Sequence, residues 1–197
     1  MKIFVAAFMF VLTTQAMGQN HSDMLSVIHN RTSIREFTTE KIEKQEIEIL
    51  LQAAMAAPSS RNVQPWRFFV IEDQDLLKAL SEQLPTAGMV GHAPLAIVVC
   101  GDTTSGNPTD EQRANWIMDC SAATQNLLLA AHAQGLGAVW TGVFPYQERI
   151  RVVSQVLELP PHMVPLSLIP IGHPLKESKP KDKWDPQKVY WKKQGQN

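Results

Sequence analysis

The 197-residue chain predicts an α+β fold, a short central sheet flanked by helices, on three observations. Residues 67–72 and 95–100 are short runs rich in β-branched and aromatic side chains, as strands are. Residues 42–57 place Ile42, Ile49, Leu50 and Ala53 at a helical period. Residues 111–134 contain no Gly or Pro and are rich in Ala and Leu, which predicts one long central helix. No repeat or linker interrupts this pattern, so residues 19–197 read as a single domain.

Taken in order, residues 1–18 read as a leader. Lys2 precedes an apolar run over residues 3–12, and small residues follow at Ala16 and Gly18. That is the layout of a secretory signal peptide, too short to span a bilayer comfortably, and it predicts an exported, periplasmic protein. Ser22 can cap a first helix that presents Leu25 and Ile28 and ends near Asn30. The helix over 42–57 is stopped by Pro58. A strand over 67–72 and a short helix over 75–84 follow. Residues 95–100 are almost purely apolar, as in a strand buried on both faces.

A polar loop over 102–110 leads to the long helix, which Gly135-Leu136-Gly137 terminates. A strand over 138–143 and a helix over 145–157 come next. Pro165 and Pro170 assign the strand over 163–171 to an edge or bulged position. The tail, 172–191, is extended, basic and Pro-rich. Its Trp184, Tyr190 and Trp191 need a surface to lie on, either of their own domain or of a second subunit.

Eighteen basic and nineteen acidic residues leave a net charge of −1. A near-neutral surface gives no reason to expect nucleic acid, or a membrane beyond the signal segment, as a partner. Cys100 and Cys120 read as small buried hydrophobes, and would pair only if adjacent in an oxidising compartment. There is no phosphate-binding P-loop and no G-x-G-x-x-G after a strand. The six histidines lack the company of a zinc site, and Ser59 and Ser60 lack a G-x-S-x-G elbow.

Four stretches carry chemistry. Arg31, Ser33 and Arg35 stand at alternate positions, so in extended chain all three project to one side. Two guanidinium forks and a hydroxyl suit a phosphate, although two arginines can also tie a helix end to carboxylates. Pro58, Ser59, Ser60, Asn62 and Gln64 set hydroxyls and amides just before Trp66, suited to the polar edges of a heteroaromatic ring or simply to a helix stop. Val139, Trp140, Thr141 and Gly142 form a small-residue stretch over which backbone can approach a planar ligand, or an ordinary glycine-bearing strand. Lys176, Lys179, Lys181 and Lys183 are a basic group that by itself reads as a solvated tail.

Together and in this order, these stretches resemble the nitroreductase family of FMN-dependent oxidoreductases. The resemblance spans residues 22–191, through R-x-S-x-R at 31–35, APSS at 57–60 with NVQPW at 62–66, GLGAVWTG at 135–142, and KWDP at 183–186. It implies that Arg31, Ser33 and Arg35 contact the FMN phosphate and ribityl chain, with Lys183, where many relatives carry Arg, assisting. It also implies that Pro58, Ser59 and Ser60 line the isoalloxazine ring, that Asn62 and Gln64 serve their own or a neighbouring flavin, and that Val139, Trp140, Thr141 and Gly142 approach by backbone. The implied protein is a homodimer whose tail crosses to its partner. Its implied activity passes electrons from NAD(P)H to a small-molecule acceptor such as a nitroaromatic or quinone, with the chemistry on the flavin and no metal. Relatives of this fold that remove halogen or cleave flavin, and a non-catalytic flavin-binding module, are the alternative readings.

Overall fold

A computed structural model describes residues 24–192. The expected leader and the expected cap at Ser22 lie outside these residues. A helix covers residues 24–30 (α1), and its Leu25 and Ile28 are exposed. Helix α2, Lys44–Met55, is shorter than the periodicity suggests because a capping box between Glu43 and Glu46 fixes its start. Strand β1, Trp66–Ile71, leads to helix α3, Gln74–Gln83, whose first N–H groups are capped by the Asp73 carboxylate. After a 3-10 stretch over Pro85–His92 comes strand β2, Leu95–Asp102.

The long helix α4 spans Asn115–Ala133. It starts later than the Gly- and Pro-free run does, because Asp110–Gln112 forms a separate 3-10 turn. Strand β3, Gly137–Ala138, strand β4, Thr141–Gly142, helix α5, Gln147–Val156, and strand β5, Met163–Gly172, complete the fold. The expected single strand over 138–143 is therefore two short pieces with Val139 and Trp140 between them. Among the described residues no helix is long and apolar enough to cross a membrane.

The sheet is antiparallel in the order β1-β2-β5-β3, with β4 also pairing β5. Strand β5 is thus interior, which corrects the edge assignment; the bulge is present. The β2–β5 register shifts between Val99 and Cys100, where the partners jump from Ser167 to Pro165. Pro170 lies opposite the gap between β3, which pairs to Ile171, and β4, which pairs to Leu168. Each proline's missing N–H coincides with an interrupted ladder, which is how an interior strand tolerates two of them.

Strand β2 divides the core. Leu95, Ile97 and Val99 face one apolar cluster with α2 and α4, while Ala96, Val98 and Cys100 face another with α3 and α5. The two-residue period sends alternate side chains to opposite faces, and both faces are covered by helices. That is why the segment reads as an unbroken apolar run. Helix α4 buries Trp116, Cys120, Ala123, Leu127 and Ala131 on the first face. Its Trp116 meets Phe144 edge-on at 5.2 Å and lies so close to Gly101 that a Cβ there would sit 2.2 Å from the ring.

Candidate functional site

The segment after α1 is extended and tied down on both sides. Ser33 bridges to Ala138 of β3, and the Ile34 N–H donates to the Ala138 carbonyl at 3.1 Å. Further on, Phe37 bridges to Pro174, and the Thr38 N–H donates to the His173 carbonyl at 2.9 Å. The strip is thus laid between β3 and the start of the tail. Gly137 is required by this contact, since a Cβ there would lie 2.6 Å from Ile34.

The strip brings its positive charges to one place. Arg31, Ser33 and Arg35 line a cavity of about 260 Å³ together with His29, Lys179, Lys181 and Lys183. Glu36, the next residue along, points elsewhere and pairs with Lys176 at 2.7 Å. Among the described residues no carboxylate lines the cavity, and neither Arg31 nor Arg35 makes an ion pair. The bland reading of two arginines tying a helix end to acids is therefore not what the fold builds. Five cationic side chains around one cavity concentrate positive potential there.

Lys179 and Lys181, which by themselves read as a solvated tail, line the cavity as well. They repeat the spacing of the arginine strip, every second residue in extended chain, and that was the available signal.

The second stretch forms a strained turn. Arg61, Asn62 and Gln64 have φ of 52°, 55° and 52°, a region that costs non-glycine residues about 1–3 kcal/mol each, Asn the least. Hydrogen bonds hold it. The Gln64 N–H donates to Ser59 Oγ at 3.0 Å, and Gln64 Nε2 donates to Asn62 Oδ1 at 2.9 Å. From α4, Asn115 Nδ2 donates to Ser60 Oγ at 3.0 Å, and Asp119 Oδ1 accepts from the Ser60 N–H at 2.9 Å. Pro58, Asn62 and Gln64 are exposed, while Ser59 and Ser60 are half-buried. Asn115 and Asp119 were missed because their partner lies more than fifty residues away in the chain. Their only local signal is a polar pair one helical turn apart within an otherwise apolar face.

In the third stretch Val139 and Thr141 are buried and Trp140 is exposed. The Gly142 carbonyl accepts from Arg149 Nη1 at 2.8 Å, and a Cβ on Gly142 would meet nothing within 4 Å. This stretch continues from Ala138, so the bridge to Ser33 brings it beside the arginine strip. Cys100 and Cys120 are free and buried, as expected of small core residues. Burial pushes both thiols up to about 12, reinforced by Cys120 at Cys100 and by Asp119 at Cys120, so neither serves as a nucleophile.

Comparison with known proteins gives this geometry a context. The nitroreductase family model matches residues 28–89 and 78–173. A provisionally named NADH dehydrogenase/NAD(P)H nitroreductase of Methanothermobacter thermautotrophicus is 38% identical over 87% of each chain. A crystal structure of a protein given the same provisional name, from Parabacteroides distasonis, is 46% identical, with a TM-score of 0.80 over 85% of this chain and 96% of that one. An FMN-dependent nitroreductase of Clostridium difficile R20291 is 29% identical, with a TM-score of 0.77 over 86% of this chain and 99% of that one.

These matches overturn the expectation of an exported, periplasmic protein. The relative aligned over 87% of both chains is named for nicotinamide-dependent reactions, whose donor cells keep inside. Residues 1–18, on which that expectation rested, lie outside the described residues. With a family model covering most of its length, and with the four sequence stretches set on the matching fold, the chain belongs to the nitroreductase family.

Proposed function

We propose that this chain, one domain over residues 19–197, is an FMN-dependent oxidoreductase that draws on NAD(P)H and reduces a small-molecule acceptor, nitroaromatic or quinone. One observation carries the reading: in a member of this family, Arg31, Ser33, Arg35 and Lys183 converge on a cavity that no described carboxylate lines, beside the stretch that contains Val139–Gly142. The donor set fits the group. Arg31 and Arg35 offer forks for a phosphate monoester, Ser33 a hydroxyl and Lys183 a point charge.

The remaining residues suit the flavin's other end. Pro58, Ser59 and Ser60 would flank the ring, Asn62 and Gln64 present exposed amides, and Val139, Trp140, Thr141 and Gly142 would offer backbone groups. When bound, FMN supplies the redox chemistry, exchanging electrons between a nicotinamide and the second substrate. The protein's own part is to position the ring, neutralise the phosphate and leave room for alternating substrates. No side chain is assigned a proton-transfer role.

The working unit is a homodimer in this reading. Trp184, Tyr190 and Trp191 are 72%, 83% and 81% exposed on one copy, too much aromatic surface for a tail with no partner. Met55 and Met118 add exposed apolar surface on α2 and α4. A second copy would cover the tail and place Asn62 and Gln64 near a shared interface.

The purified protein should be yellow or take up added FMN. NADH or NADPH should bleach it, and a nitroaromatic or a quinone should restore the colour. A colourless protein that ignores added FMN overturns the proposal. Light scattering that finds only monomers overturns the dimer.

A further inference from the structure

We infer that Asp119 and Asn115 are positioning residues that hold the turn over 59–64 and so set how Ser59, Ser60 and Gln64 meet the flavin ring. The inference rests on the FMN reading. Asp119 is a carboxylate only 7% exposed, on a helix face that otherwise buries Trp116, Cys120, Ala123 and Leu127. Such burial is costly unless the oxygens accept hydrogen bonds, and Oδ1 accepts from the Ser60 N–H at 2.9 Å. One turn earlier, Asn115 donates to Ser60 Oγ at 3.0 Å. Residues i and i+4 share a helix face, so this pair grips Ser60 by its backbone and its hydroxyl at once.

Ser60 is the last residue before the strained backbone. Arg61, Asn62 and Gln64 follow with φ above 50°, a conformation that persists only where the surroundings over-determine it. Within the turn Val63 packs against Gly106, whose added Cβ would lie 2.6 Å from Val63 Cγ2. On the α4 side a cavity of about 20 Å³ borders Ser60, Arg61, Asn115, Trp116 and Asp119, and beside it the two hydrogen bonds to Ser60 join the turn to the helix. A carboxylate suits this task better than a neutral acceptor, because a charge-assisted hydrogen bond is shorter and stronger. Without it, the turn relaxes toward ordinary φ, and the groups aimed at the ring move with it. The phosphate cavity is built by other residues and stays intact.

The test uses the full chain with FMN, comparing the parent with Asp119→Ala, Asp119→Asn, Asn115→Ala and Arg31→Ala. Flavin fluorescence titration gives affinity, and the visible spectrum and midpoint potential report the ring's surroundings. Asp119→Ala should weaken FMN about tenfold, move the absorption bands toward those of free FMN and shift the potential. Asp119→Asn should recover part of each effect, since its carbonyl can accept the same N–H. Arg31→Ala should lower affinity while the bands stay in place. Should Asp119→Ala fail to fold, Asn115→Ala carries the test, because it leaves the carboxylate in place. If both variants keep the parent's bands and potential, and affinity within about twofold, the inference falls. A parent that binds no FMN overturns the function reading instead, and this inference with it.

Discussion

Replacing Gly137 with alanine should loosen the phosphate end of the site through one side-chain contact. The new Cβ would lie 2.6 Å from Ile34 Cγ2, 2.7 Å from Ile34 Cβ and 3.1 Å from its Cγ1, whereas ordinary contact begins at 3.4 Å. Ile34 cannot turn away, because its Cβ is itself in the clash and a β-branched side chain has few χ1 choices. The strip over 31–35 must therefore lift from β3 by roughly 1 Å. Overpacking of this kind costs about 1–3 kcal/mol of stability. It also works against the hydrogen bond from the Ile34 N–H to Ala138, which sets the strip's register.

Arg31 and Arg35 flank Ile34, so both forks lose their alignment on the cavity. Each hydrogen bond to a charged group is worth about 1.5–3 kcal/mol. Losing even one should weaken FMN at least tenfold, since about 1.4 kcal/mol is a factor of ten. Riboflavin, which lacks the phosphate, should lose much less, and titrating both flavins separates the two effects. Ile34→Gly added to Gly137→Ala should restore much of the FMN affinity, because it removes every side-chain atom in the clash, the Cβ included. If Gly137→Ala binds FMN as the parent does, or the double variant recovers nothing, the strip is not positioned by this contact.

Arg31→Ala and Arg35→Ala should each weaken FMN by about tenfold or more while sparing riboflavin, and the gap between the flavins should narrow with salt. Equal losses for both flavins would count against a phosphate contact. Ile97→Ala, at a fully buried position in mid-β2, should cost about 2–5 kcal/mol in denaturant unfolding; a change under about 1 kcal/mol would contradict the packing described. Burial disfavours ionised Asp102, but hydrogen bonds from Thr104 and Ser105 and the charge of Arg67, 3.0 Å away, outweigh it and hold its pKa below the ordinary 3.8. A depressed carboxylate stabilises the fold above its unfolded pKa and loses that contribution as pH falls through the folded one. Asp102→Asn should thus melt below the parent at neutral pH, with the gap closing under pH 3.8; a gap unchanged by acid refutes this. Cys100 and Cys120, held near 12, should ignore a thiol reagent at pH 8 until the protein unfolds; rapid labelling of native protein would overturn their burial.

Which parts of this fold were legible in the sequence follows from how local their causes are. Strand β2 was legible because both its faces are covered, and that leaves an apolar run with no polar interruption. For strand β5 the two prolines point to an edge or a bulge, and only the bulge is what the fold builds. The sheet instead sets each proline at an interrupted ladder, and that interruption depends on where β2, β3 and β4 fall in space. The start of α4 was misjudged because Glu111 and Gln112 suit a helix, yet the chain there makes a 3-10 turn first.

The site divides along the same line. Its proposed phosphate end is two strips, Arg31-Ser33-Arg35 and Lys179-Lys181-Lys183, that line one cavity. Charge at alternate positions is visible in the sequence, and it works without exact placement because Coulomb attraction falls off gently with distance. The other end depends on left-handed backbone at Arg61, Asn62 and Gln64, held through Ser60 by a carboxylate fifty-nine residues further along the chain. No local pattern announces such an arrangement, and hydrogen bonds weaken steeply with misalignment. Changes at the first end should therefore appear as affinity and salt dependence. Changes at the second should appear in the flavin's spectrum and potential, because only there does a small displacement alter what the ring touches.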